Sequence, residues 1–261
     1  MMNVSDDSAE PATSVAARSD ANLVDVADLP APVRWFRAVR ALRKILVNPE
    51  DTETVLEFTN VANAGRRRRD ERLDLFFAHP DGARLFAERR TLDSRTVDID
   101  ALAALPAGTL GHAYATFMKA HGITPNIFDG APEGVYDERA SYFMMRMRQT
   151  HDLWHVVTNC ETDPAGEIAL QAFTFAQVRA PASAILAALG TLRALPYSRQ
   201  VLRDALKLYR LGQNARPLPL VAWEDHWATP LAEVRRMLGL PVAAPVTGGY
   251  LAEMLAAKLA A

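Results

Sequence analysis

The chain has 261 residues, 49% of them hydrophobic and 23% charged, with a formal net charge of −2. This is the profile of an ordinary globular protein, without the basic excess that draws a chain to nucleic acid. Its single cysteine, Cys160, excludes an internal disulfide framework and a cysteine-rich zinc ribbon. No run approaches the roughly 20 apolar residues that span a bilayer, so any membrane contact is expected to be peripheral.

Residues 1–30 are rich in Ser, Ala and Asp and lack an apolar core segment. They read as a disordered tail, neither a secretory signal nor a mitochondrial presequence. Residues 31–241 follow with helical periodicity, abundant Ala, Leu, Arg and Glu, and few β-branched runs. Helices are predicted at about 33–47, 50–63, 68–78, 81–89, 98–105, 107–121, 136–160, 164–178, 181–195, 198–213 and 228–238. Prolines such as Pro32, Pro80, Pro106, Pro164, Pro181 and Pro230 punctuate their starts. The fold expected is all-α, a single multi-helix domain.

The first helix carries Arg34, Arg37, Arg40 and Lys44 as a basic stripe, with Trp35, Val39, Leu42 and Leu46 on an apolar side. Such a helix either lies in the interface of an anionic membrane or turns its apolar side to the core. The commoner core-facing arrangement is the expectation. Arg66 to Arg69 add positive charge nearby.

The helix predicted at 136–160 holds the densest chemistry. His151, Asp152 and His155 fall within five residues. His155 lies about 40° and Asp152 about 100° round the helix from His151, so all three share one face. Asp163-Pro164 then starts the next helix, with Glu167 in its first turn. Two imidazoles with carboxylates suit zinc, iron, manganese or cobalt. A helical His pair also arises by chance, with Asp152 as a mere hydrogen-bond partner; metal binding is the preferred reading. In the related HExxH pattern the residue after the first His is a general base, and Asp152 could be either base or ligand. An HD-type phosphohydrolase would further need residues such as His112, His121 and Asp225, and nothing around them supports it.

One turn before His151, Arg148 shares the ligand face, about 60° away. It suits a substrate carboxylate, or an ion pair with Asp152. Arg146 falls on the opposite side and is expected to be solvated. Met144 and Met147 fill core or line a lipid chain, core filling being the commoner use. Pro217 to Trp223 is expected to be an extended loop because of its prolines. Glu224 or His226 could complete a metal shell, although Trp223 as an aromatic anchor with exposed polar neighbours is the simpler reading. Residues 242–261 read as a linker and a short helix, with Leu251, Met254, Leu255 and Leu259 along one face.

The segment His151 to His155 with Glu167 resembles the H-D-x-x-H-x(11)-E metal motif of the coenzyme Q biosynthesis protein 4 family. Leu105 to Met118 (LPAGTLGHAYATFM), Gly166 to Leu170, Asn214 to Leu218, Trp223-Glu224 and Ala41 to Glu53 are similar to further landmarks of that family, over about residues 33–241. The resemblance implies an all-α homodimer with a divalent metal, usually zinc, held by His151, Asp152, His155 and Glu167. It also implies a groove for polyprenyl lipid and quinone precursors. Peripheral attachment at the cytoplasmic side of the inner membrane and contact with other ubiquinone-biosynthesis proteins would follow. Two roles are associated with the family: oxidative decarboxylation of a polyprenyl-hydroxybenzoate at ring C1, with Arg148 here holding the carboxylate, and a non-catalytic scaffold that organises the other enzymes. Residues 1–30 and 242–261 have no counterpart in the resemblance.

Overall fold

A computed structural model describes residues 25–251 except 49, 50, 130, 131, 133 and 136. The helices are α1 (Ala31–Val47), α2 (Thr52–Asn63), α3 (Arg66–Ala78), α4 (Pro80–Ala87), α5 (Ile99–Ala103), α6 (Leu110–His121), α7 (Glu138–Thr158), α8 (Pro164–Val178), α9 (Pro181–Ala194), α10 (Gln200–Asn214) and α11 (Leu231–Met237). Among the described residues there is no strand, only isolated bridges joining Thr109 to Pro230 and Cys160 to Thr247. The all-α expectation therefore holds.

Local chemistry sets the helix ends. Asp98, Thr109, Asp137 and Asp163 each accept a backbone N–H of the first turn with their side chains, relieving donors that have no partner within the helix. Thr109 explains why α6 starts later than Pro106 suggests. Asn159 closes α7 with φ 58°, a left-handed cap that Asn tolerates. Pro217 to Trp223 is not extended throughout: Leu218–Leu220 and Trp223–His226 form 3₁₀ turns, with Leu218 and Trp223 fully buried.

The core is built around α7 and α8. Leu153, Trp154, Val157, Leu170 and Phe173 join Tyr114 and Met118 of α6 and Trp223 in one cluster. A second cluster holds α8 against α9 and α10 through Ala165, Ile168, Ala187, Val201 and Ala205, and includes Leu251. In a third, Ala38, Ala41 and Ile45 of α1 meet Phe58 and Val61 of α2 and Ala182 of α9.

Two expectations fail here. α1 turns Ala38, Ala41 and Ile45 inward, not Trp35, Val39 and Leu46, which are 56%, 53% and 38% exposed. Small residues let α1 and α2 approach closely, and the bulky side chains are left outside. The basic stripe is also divided. Arg34 folds back onto the carbonyls of Ala27 and Leu29, and Arg37 and Arg40 flank Glu57. Of the expected tail, only residues 25–30 are described. Residues 1–24 lie outside the described residues, but Val26 and Ala27 are buried and Val26 N–H donates to Gly134. Of the expected C-terminal helix only Tyr250 and Leu251 are described; Met254, Leu255 and Leu259 lie outside.

Candidate metal centre

α7 and α8 run from a shared corner at residues 159–163, which brings α8's first turn beside the last turns of α7. Nitrogens of His151 and His155 and a carboxylate oxygen of Glu167 all lie within 4.8 Å of one another. Asp152 stands beside this trio, outside the tight group, its Oδ1 3.6 Å from His151 Nδ1. Gly166 is required for the approach: a Cβ there would sit 2.0 Å from the Glu161 carbonyl oxygen. Glutamate can reach the histidines only because the residue before it has no side chain.

The polar arrangement fits a divalent cation. His155 Nδ1 is 3.1 Å from the Cys160 carbonyl oxygen, which can only accept, so Nδ1 carries a proton. In the neutral ring Nε2 then presents its lone pair to Glu167 Oε1 at 3.0 Å. Two acceptors at that distance repel unless a proton or a cation lies between them. Second, Asp152 Oδ2 is buried and accepts no hydrogen bond among the described residues, a costly condition for a carboxylate. Burial disfavours charge on His151, yet Asp152 and Glu167 outweigh it and its pKa is raised. Burial likewise opposes charge on Glu167, but His155 and His151 hold its pKa below the usual value. His151, His155, Glu167 and, by a small side-chain shift, Asp152 are the residues that would hold the metal, and the Cys160 carbonyl orients His155 as an outer partner.

His151 and Asp152 also form part of the wall of a cavity of about 380 Å³, otherwise lined by side chains such as Leu56, Val55, Phe143 and Val178. Met144 and Met147 line this cavity as well as packing on the core. Arg148 reaches the same wall and donates to Asn60 Oδ1 of α2 at 2.6 Å, in place of the ion pair with Asp152 that its spacing allowed. Burial lowers its pKa. Arg146, expected in solvent, is 1% exposed. It forks onto both carboxylate oxygens of Glu224, at 2.5 and 3.0 Å, and donates to the Val221 carbonyl. Glu224 is thereby occupied with Arg146, not with the histidines. Asp225 lies at the surface in ion pairs with Arg90 and Arg84, away from any HD-type centre.

Three contributors had no sequence signal: Asn60, the Cys160 carbonyl, and Arg235, which donates to the carbonyls of Val156 and Val157 at the end of α7. Thr247-Gly248, read as linker, reaches the 159–163 corner. Its paired glycines, Gly248 and Gly249, were the only hint.

Residues 29–243 match the profile of the coenzyme Q (ubiquinone) biosynthesis protein Coq4 family. The mitochondrial ubiquinone biosynthesis protein COQ4 of Laccaria bicolor is 30% identical over 217 residues, covering 80% of this chain and 71% of that protein. The mitochondrial COQ4 homolog 1 of Culex quinquefasciatus is 34% identical over 75% of this chain and 70% of its own length. The match is shorter for others, spanning 58% of the Coprinopsis cinerea protein. A crystal structure from Nostoc punctiforme, described as a candidate ubiquinone biosynthesis protein, superposes with a TM-score of 0.66 at 29% identity, over 80% of this chain and 97% of that one. The chain belongs to the Coq4 family.

Proposed function

We propose that this Coq4-family chain acts in ubiquinone biosynthesis on a polyprenylated hydroxybenzoate, removing the ring carboxylate at C1 and leaving a hydroxyl in its place. The observation that carries this reading is one cavity: His151, Asp152 and Arg148 meet on a wall that is mainly apolar, with Asn60, Arg69, Arg72 and Gln171 among the further polar residues of the lining. The apolar part accepts the prenyl chain, with Met144 and Met147 as deformable lining. Arg148 holds the carboxylate through guanidinium donors not committed to Asn60, and keeps its charge as it does so. His151, Asp152, His155 and Glu167 bind the divalent metal, zinc being the first expectation. When bound, it supplies Lewis acidity toward the head-group oxygens. Replacing carboxylate by hydroxyl is a two-electron oxidation: the ring–carboxylate bond breaks to release CO₂, water supplies the oxygen of the new hydroxyl, and dioxygen is reduced to hydrogen peroxide, so that acid, water and O₂ give phenol, CO₂ and H₂O₂. Zinc is redox-inert, so iron, manganese or cobalt belong in the same test.

A second reading, a non-catalytic lipid-binding scaffold for other ubiquinone-biosynthesis enzymes, is favoured by the ligand count. Four protein ligands close a structural site, whereas catalytic sites keep a position open. In either reading the chain attaches peripherally to the inner membrane. Among the described residues no helix is long and apolar enough to cross one, but Trp35, Phe36, Val39 and Val47 are exposed beside Arg43 and Lys44 on α1. The homodimer implied by family resemblance would have Leu192, Leu202 and Leu206, exposed on α9 and α10, as its first candidate face.

Metal analysis of the purified protein, paired with turnover of a polyprenyl-hydroxybenzoate with and without oxygen, tests the choice. Oxygen-dependent CO₂ release that His155→Ala and Glu167→Ala both abolish supports the enzyme. Bound lipid and stoichiometric metal without turnover overturn it in favour of the scaffold.

A further inference from the structure

We infer that residues 242–251 form a strap that sets the spacing of the two ligand-bearing helices and so tunes the metal centre from outside it. This rests on the metal-centre reading above. The ligands sit on two helices whose only covalent link is the 159–163 corner. A corner of five residues, with one left-handed position at Asn159, does not by itself hold two helices to the tolerance of about 0.5 Å that a preorganised site needs.

Core packing such as Trp154 against Phe173 ties the helices further along; the strap adds a constraint at the corner itself, through the backbone. Thr247 N–H donates to Asn159 O at 3.0 Å, and Glu161 N–H donates to Thr247 O at 2.9 Å, so the strap pairs with the corner on either side of Cys160. Asn159 Nδ2 adds a bond to the Ala244 carbonyl at 2.9 Å. At the strap's start, Arg235 donates to Val242 O as well as to the last carbonyls of α7, joining the two. At its far end, Tyr250 OH donates to Asp204 Oδ2 at 2.9 Å, and Leu251 is buried with Ala165 and Ile168 of α8.

Gly248 is the closest point. It has φ +102°, and a Cβ built on it would lie 2.4 Å from Asp163 Oδ1 and 2.7 Å from Gly166 N, the pair that caps α8. The strap therefore presses on the residue next to Glu167, while it also holds the residue whose carbonyl orients His155 within its pairing. Contacts of this outer kind change metal affinity by about 10–100-fold. The family profile ends at residue 243, so Ala244, Thr247 and Gly248 lie beyond the matched stretch.

The test uses the full chain loaded with cobalt(II), whose visible absorption reports ligand geometry. Gly248→Ala forces a side chain into the contact. Asn159→Gly keeps the left-handed backbone and removes only the side-chain tether, and it serves if Gly248→Ala fails to fold. Val246→Ala, at an exposed strap position (61%), is the control. Gly248→Ala is expected to weaken cobalt binding in chelator competition by about 10–100-fold, to shift the visible bands, and to speed amide exchange over 159–167. Asn159→Gly should do the same by a few-fold and Val246→Ala not at all. Faster exchange at the corner with unchanged affinity and bands in both variants would overturn the inference and leave the strap a stabiliser. A wild-type chain that binds no cobalt or zinc would instead bring down the metal-centre reading itself, and the strap's role with it.

Discussion

Arg146 and Arg148 sit two residues apart on α7, and their surroundings are opposite. Arg146 is sealed in, its charge met by both oxygens of Glu224 and by a backbone carbonyl. Arg148 is half-buried at a cavity wall and bonded to the neutral amide of Asn60. A compensated buried charge is a structural fastening; a desolvated charge facing a neutral group is one that still gains from an anion. One face of α7 is finished when the chain has folded, while the other is left open for the ligand proposed above.

Removing each arginine should separate the faces. Arg146→Ala leaves Glu224, mostly buried, without its partner, and should lower unfolding free energy by about 3–5 kcal/mol in denaturant titration. Arg148→Met should leave stability unchanged or slightly higher, since it removes a desolvated charge. It should nevertheless weaken binding of a carboxylated prenyl-benzoate by about 10–100-fold, the worth of a charged hydrogen bond. Metal content should be retained. Loss of metal in Arg148→Met, or equal destabilisation by both changes, would erase the distinction.

A smaller effect is expected at the other misjudged surface. Trp35→Ala with Phe36→Ala should cut binding to anionic vesicles by about tenfold or more, from the apolar area lost, with the melting temperature little changed because both side chains are exposed. The smallest effect concerns pH. Burial pushes the Cys160 thiol from 9.0 up to about 12. The folded chain thus holds its proton where the unfolded chain loses it, and the stability this gives is present below pH 9 and declines between 9 and about 12. Alkylation of Cys160 should accordingly stay slow until that range; a fast reaction at pH 8 would show the strap opening.

The helix frame was legible because its signals are local: Asp163-Pro164 starts α8 where the residue types place it, and the ligand face follows from helical angles alone. What escaped was set by distant partners. Nothing near Arg146 announces Glu224, 78 residues on. α1 offers two apolar faces by periodicity, one of Ala38, Ala41 and Ile45 and one of Trp35, Val39 and Leu46; the choice depended on how closely α2 packs. Spacing puts Asp152 beside His151, where its Oδ1 lies 3.6 Å from Nδ1, but its place just outside the trio depends on side-chain geometry that spacing does not reveal.

Gly166 bears on transplanting this centre into another helical scaffold. Copying His151, Asp152, His155 and Glu167 onto a generic helix pair would leave out the tight corner that brings Glu167 to the histidines, a corner whose Glu161 backbone leaves no room for a side chain at Gly166. The smallest portable unit is the whole stretch from His151 to Glu167, corner included. A laboratory search for altered metal preference has freedom at the ligands and almost none at the residue beside them.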